Sequence, residues 1–179
     1  GMIQLPIVKA TTVHIPVIIG AIVLGPLAGA ILGTTFGVCS LLSNTYAPTL
    51  LSFAFSPFLS TTGLSGCIKA IWISVGCRIM IGVVAGWLWI LLKKIKCNQN
   101  ISMALVGFIG SMTNTVFVMG SIYLLFAKQY AEAKEVATSA VFGLIMGTVT
   151  ASGIPEAIAA AILVFAIGKV IIKVFYATE

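Results

Sequence analysis

Residues Gly66 to Leu92 read GCIKAIWISVGCRIMIGVVAGWLWILL. A helix needs about 20 mostly apolar residues to cross the hydrocarbon core of a bilayer, and this stretch exceeds that. Arg78 stands in its middle, about twelve residues in, which at ~1.5 Å per residue is near the midplane. A guanidinium at that depth costs at least ~2.5–3.5 kcal/mol on insertion scales, so it must face protein, water or a bound anion. Ser74, Gly82 and Gly86 share its helical face at four-residue spacing. Such a small-residue face packs against other helices rather than lipid. Two roles fit: a structural arginine bonded to carbonyls of neighbouring helices, or an inward-facing cation for an anionic ligand. The second is the working expectation.

The rest of the chain belongs to the same class. Of its 179 residues 60% are hydrophobic and 8% charged, with a mean hydropathy of +1.17, whereas soluble domains are roughly a quarter charged. This length corresponds to a single transmembrane domain over residues 1–179. The net charge of +6 comes from lysines scattered at segment ends, which excludes a nucleic-acid-binding face. Cys39, Cys67, Cys77 and Cys97 form no C-x-x-C pair and read as small packing residues, so no metal and no disulfide framework is expected. No basic stretch precedes an apolar run at the start, so no cleavable signal peptide is expected.

Along the chain, Thr12–Leu24 is apolar and short and ends at Gly25-Pro26, a helix-breaking pair. Leu27–Ser43 is a span, and Asn44–Ser65 is a loop rich in Ser, Thr and Pro. After the Arg78 helix comes the basic link KKIKCNQN, then a long helix from Ile101 to about Ala127. Lys128–Ile154 reads as a polar and glycine-rich outer segment, and a final helix runs from Pro155 to about Tyr176. Lys93, Lys94 and Lys96 crowd one short link, and Lys169 and Lys173 mark the end of the last helix. The positive-inside rule puts both groups on the cytoplasmic side. Five spans with a cytoplasmic C-terminus leave the two long segments and Lys9–His14 outside.

Gly25, Gly29, Gly33 and Gly37 recur every fourth residue and extend the small-xxx-small pattern. The stripe serves internal packing or docking of another membrane protein. Asn114 lies mid-helix with Ser111, Thr113 and Thr115 around it, and its amide both donates and accepts; an interhelical bond and a ligand contact both fit. Glu156 follows Pro155 in a first turn, where the helix dipole favours a carboxylate with or without a ligand. His14, before Ile15-Pro16, fits a local hydrogen bonder as well as a ligand contact. No H-E-x-x-H, G-x-S-x-G or phosphate loop is present, and there is no aspartate, so no enzyme is expected. Without a nucleotide site the chain does not power active transport alone.

HIPVIIGAIVLGPLAGAILG (His14–Gly33), SFAFSPF (Ser52–Phe58), GFIGSMTNTVFVMGSIYLLF (Gly107–Phe126) and ASGIPEAIAAAI (Ala151–Ile162) together resemble the substrate-binding S-components of energy-coupling factor (ECF) vitamin transporters. Within that family the chain is most similar to the pantothenate-specific members. The resemblance implies an all-α integral membrane bundle of six helices, the first of which, with its alanine-spaced contact motif, is absent from this sequence. It further implies vitamin capture from outside a bacterial cell membrane, without a cofactor, in complex with a transmembrane coupling subunit and two cytoplasmic ATPases. The substrate-binding residues expected are Arg78, Asn114, Thr113, Glu156, His14 and Phe55. Gly25, Gly29 and Gly33 are expected at the coupling-subunit interface. Phe53, Phe55 and Phe58 offer an apolar lid over the site, or an anchor in the headgroup region, and Lys128–Ile154 is expected to close with that lid. The alternatives are another vitamin or precursor (hydroxymethylpyrimidine, folate, riboflavin or thiamine) or a helix-packing assembly protein without a small ligand.

Overall fold

The computed structural model describes residues 2–4, 9–11, 13–60 and 63–176. Thr12, residues 5–8 of the N-terminal link and residues 61–62 of the long loop lie outside the described residues. A short antiparallel pair, β1 (Met2–Gln4) with β2 (Lys9–Thr11), pairs Met2 with Thr11. Everything after it is helical or turn: α1 (His14–Leu24), α2 (Pro26–Tyr46), α3 (Gly63–Ile71), α4 (Cys77–Lys94), α5 (Gln99–Ala133), α6 (Val141–Thr148) and α7 (Ile154–Tyr176).

Two pairs of these helices are continuous rods. A π-helical turn at Trp72–Gly76 joins α3 to α4, giving 32 residues from Gly63 to Lys94. A second π turn at Val149–Gly153 joins α6 to α7. Among the described residues four helical stretches are long and apolar enough to span a membrane. At 11 residues α1 is about 16 Å long, too short to cross, so the five expected spans become four and a short helix.

Lys128–Ile154 is likewise not an outer loop. The helix α5 continues to Ala133, the turn that follows is brief, and α6 begins at Val141. The physical reason is the environment. Glycines such as Gly143 and Gly147 weaken a helix in water, but in lipid the backbone has no other way to satisfy its hydrogen bonds.

The helix break at Gly25 turns α1 back on α2. Gly25 has φ 92°, which only glycine adopts without strain, and Pro26 opens α2 at a position that needs no N–H. The two helices form a hairpin in which Gly29 meets Ala21.

α2 then runs antiparallel to α4 along a seam of glycines. A Cβ on Gly29 would lie 2.8 Å from the Gly82 carbonyl oxygen, one on Gly37 2.8 Å from that of Ser74, and one on Gly33 would collide with the Arg78 carbonyl. The ladder is therefore an internal seam. Gly29 and Gly33 are both buried against α4, because the α2 backbone comes this close to its neighbour only where it carries no side chain of its own. Gly25, at the hairpin tip, is half-buried with open space beside it.

Gly107 packs against Ala160 and Ala161, and Gly168 against Met103, so α5 and α7 are antiparallel. The start of α5 therefore lies beside the end of α7, and the link carrying Lys93, Lys94 and Lys96 shares one end of the bundle with Lys169 and Lys173.

Two apolar cores fill the bundle. One, toward the lysine end, is built from Ile18, Ile22, Ile81, Ala85, Trp89, Met103, Val106 and Val164 among others. The other, toward the loop end, holds Ala54, Ile73, Val118, Ile122, Phe126, Tyr130 and Ile145. Between Ile73 and Ile81, between Val106 and Val118, and between Ile145 and Ala160, each helix passes through a polar stretch. That layer holds the site.

Candidate functional site

Arg78 lies two residues after the π turn, mid-way along its rod, and is only 8% exposed. Its Nη1 donates to the Ile73 carbonyl at 2.9 Å, an acceptor five residues back within the π turn. Its guanidinium lies 5.4 Å from the ring centroid of Phe36 on α2 and 5.3 Å from that of Phe55 in the long loop. Cation–π contacts of this kind strengthen when water is excluded. Among the described residues no carboxylate stands within ion-pair distance of it, and its buried Nε has no hydrogen-bond partner. A buried charge is normally paired and fully hydrogen-bonded. This one is held in place but incompletely answered.

The second part of the layer comes from α5. Cys77 Sγ lies 3.6 Å from Ser121 Oγ, which sets the register between α4 and α5. Asn114 is seven residues before Ser121, about 10 Å nearer the lysine end. Its Oδ1 is buried with no hydrogen-bond partner, as is Ser111 Oγ. Leaving such an atom unpaired costs about 1–3 kcal/mol each. Thr113 is buried, but its hydroxyl donates to the Ile109 carbonyl at 2.7 Å; its hydrogen is already engaged by its own helix.

His14 and Glu156 meet although 142 positions separate 14 from 156 in the chain: His14 Nδ1 lies 3.5 Å from Glu156 Oε1, with His14 1% and Glu156 14% exposed. They stand level with Asn114, because Gly153, one turn before Glu156, packs on Thr115. The structure thus joins Arg78 with Phe55, and His14 with Glu156, and places Asn114 on the neighbouring stretch of the same layer.

The loop over Arg78 is pinned to the end of α2. The Ser52 hydroxyl donates to Asn44 Oδ1 at 3.0 Å and accepts from the Thr49 N–H at 2.7 Å, and Thr45 Oγ1 lies 2.7 Å from Ser56 Oγ. Ser52, Ala54 and Ser56 are buried, so this is not a segment lying loose in the headgroups. Phe53 packs edge-on to Phe126 with centroids 5.7 Å apart, at the point where α5 bends. Phe58, by contrast, is 78% exposed. Two open grooves lie away from Arg78. One of about 370 Å³ is lined by Lys128, Glu132, Glu135 and Thr138, and one of about 540 Å³ runs between α1 and α7 past Ile19, Leu163 and Ile167.

Phe36 and the Ile73 carbonyl escaped the sequence reading, and Ser111 was legible only as a polar neighbour of Asn114. A signal for Phe36 was present: it sits between Gly33 and Gly37 on the ladder, and the residue between two close-approach glycines faces the partner helix. Nothing local marks a π turn, so the Ile73 carbonyl left no comparable trace.

Comparison with known proteins agrees with this architecture. The family described as "ECF transporter, substrate-specific component" matches residues 1–168. A curated relative, the pantothenic acid transporter PanT of Lactococcus lactis subsp. cremoris (strain MG1363), is 34% identical over 158 residues, covering 84% of this chain and 78% of the relative.

Proposed function

The chain belongs to the substrate-specific components of ECF transporters, and on that premise we propose that it captures pantothenate from outside a bacterial cell. It is a transport component rather than an enzyme, and it delivers the vitamin with a transmembrane coupling subunit and two cytoplasmic ATPases. The name of the PanT relative supports the choice of vitamin. The single observation that carries the reading is Arg78: a buried guanidinium with, among the described residues, one hydrogen bond, no carboxylate partner and an unpartnered Nε. A ligand carboxylate supplies the missing charge-assisted bonds, which are the strong kind. Pantothenate also carries hydroxyls and an amide, and Asn114 Oδ1 and Ser111 Oγ, displaced along the axis, answer a donor of that sort. The lysine end faces the cytoplasm by the positive-inside rule, so the loop end and Arg78 open outward.

Titration of purified protein with pantothenate, riboflavin, thiamine, folate, biotin and hydroxymethylpyrimidine, followed by the fluorescence of Trp72, Trp87 and Trp89, tests the reading. Saturable binding of pantothenate alone is expected. Silence across the panel points to a helix-packing protein without a small ligand, and saturation by a different vitamin reassigns the substrate.

Phe55 of the SFAFSPF loop lies against the Arg78 guanidinium, so a ligand that reaches Arg78 from the loop end displaces this loop. Excluding water strengthens each electrostatic contact beneath it. Pantothenate is therefore expected to slow hydrogen exchange at the loop backbone, 47–60, with little change across 134–140. If exchange at 47–60 is the same with and without ligand, the loop is not a lid.

A further inference from the structure

We infer that Phe36 is a positioning residue for the ligand-binding guanidinium: it is the fixed platform that holds Arg78 in place while the loop carrying Phe55 is open. This rests on the assignment of Arg78 to the ligand carboxylate. Two aromatic rings contact the guanidinium, and they come from elements of different character. Phe55 belongs to the loop that must move for a ligand to enter. Phe36 belongs to α2, and the residues on either side of it are locked to the rod that bears Arg78. Gly33 abuts the Arg78 carbonyl, and Gly37 lies against Val75 and Ser74 in the π turn. The seam therefore fixes the height of Phe36 relative to Arg78, and no rotation of α2 removes the ring without breaking those contacts. The guanidinium is 5.4 Å from that ring, with Nη1 tied to Ile73 and Nε left for the ligand. A planar cation resting on a ring keeps its donors at its edge, and a bidentate carboxylate contact needs them held in a plane. Without the ring, the side chain gains rotamers, and part of the binding free energy is spent restoring the planar arrangement.

The test measures two ligands, pantothenate and its neutral alcohol analogue, in which hydroxymethyl replaces the carboxylate. The ratio of their affinities isolates the carboxylate contact from folding and general packing. Phe36→Leu is expected to lower that ratio on the order of tenfold, with affinity for the alcohol nearly unchanged, and Phe36→Tyr is expected to restore it. Binding of the alcohol reports that each variant is folded. Should Phe36→Leu unfold the protein, Phe36→Tyr against the milder Phe36→Met gives the same comparison. A ratio unmoved by loss of the ring, or equal loss for both ligands, reduces Phe36 to packing and overturns the inference. Arg78→Ala, run in parallel, separates the two claims: if it too leaves the ratio unchanged, the assignment of Arg78 fails first.

Discussion

Arg78→Ala is expected to weaken pantothenate binding by about 2–5 kcal/mol, because the ligand carboxylate is then buried opposite nothing. That corresponds to a loss of roughly thirty-fold to several thousand-fold in affinity. Arg78→Lys recovers only part of it: an ammonium is a point charge without the planar fork, and its stem does not rest on Phe36 and Phe55 as a guanidinium does. Calorimetric titration of the two variants against the parent protein, with folding checked by thermal unfolding, gives the numbers. Near-parental affinity in a folded Arg78→Ala protein makes this arginine a structural one, bonded to Ile73 and stacked on two rings, and removes it from the ligand site.

The second large effect falls on stability and comes from the glycine seam. In Gly82→Val the new Cβ meets the carbonyl oxygen, carbonyl carbon and Cα of Gly29. Those atoms are backbone and cannot rotate away, so α2 must shift as a whole. Overpacking of this kind costs about 1–3 kcal/mol or more, a fall in melting temperature of roughly 2–12 °C for a chain of this size. Because the same seam sets Phe36 over Arg78, pantothenate affinity falls with it. Gly143→Ala is the control, since nothing lies within 4 Å of a Cβ there; it is expected to leave stability and binding unchanged or slightly improved. Equal behaviour of the two substitutions contradicts the close α2–α4 contact.

What was legible in the sequence was whatever a local pattern encodes. Arg78 had to turn inward because a charge in an apolar span has nowhere else to go. The Gly25-Pro26 pair announced a helix break, and the four-residue glycine spacing a close backbone approach. The partner of that seam was not legible: spacing tells that a backbone can approach, and only tertiary structure tells that α4 packs beside Gly29 and Gly33. Lys128–Ile154 was misread because glycine and polar residues signal loops in water, whereas here Lys128–Ala133 extends α5 and the glycines of α6 sit in a rod continuous with α7. The meeting of His14 with Glu156 depends on α1 folding back beside α7, which no spacing within either helix encodes. The two π turns are invisible for a similar reason, since one extra residue in a helical turn leaves the apolar pattern almost intact.

The most direct measurement is the position of the bound ligand in an experimental structure of the pantothenate complex. Capture by the polar layer predicts the carboxylate within hydrogen-bond distance of Arg78 Nε, the hydroxyl end toward Asn114 and Ser111, and Phe36 still against the guanidinium. A pantothenate carboxylate bound elsewhere, with Arg78 Nε still unpartnered and Nη1 still on Ile73, contradicts it.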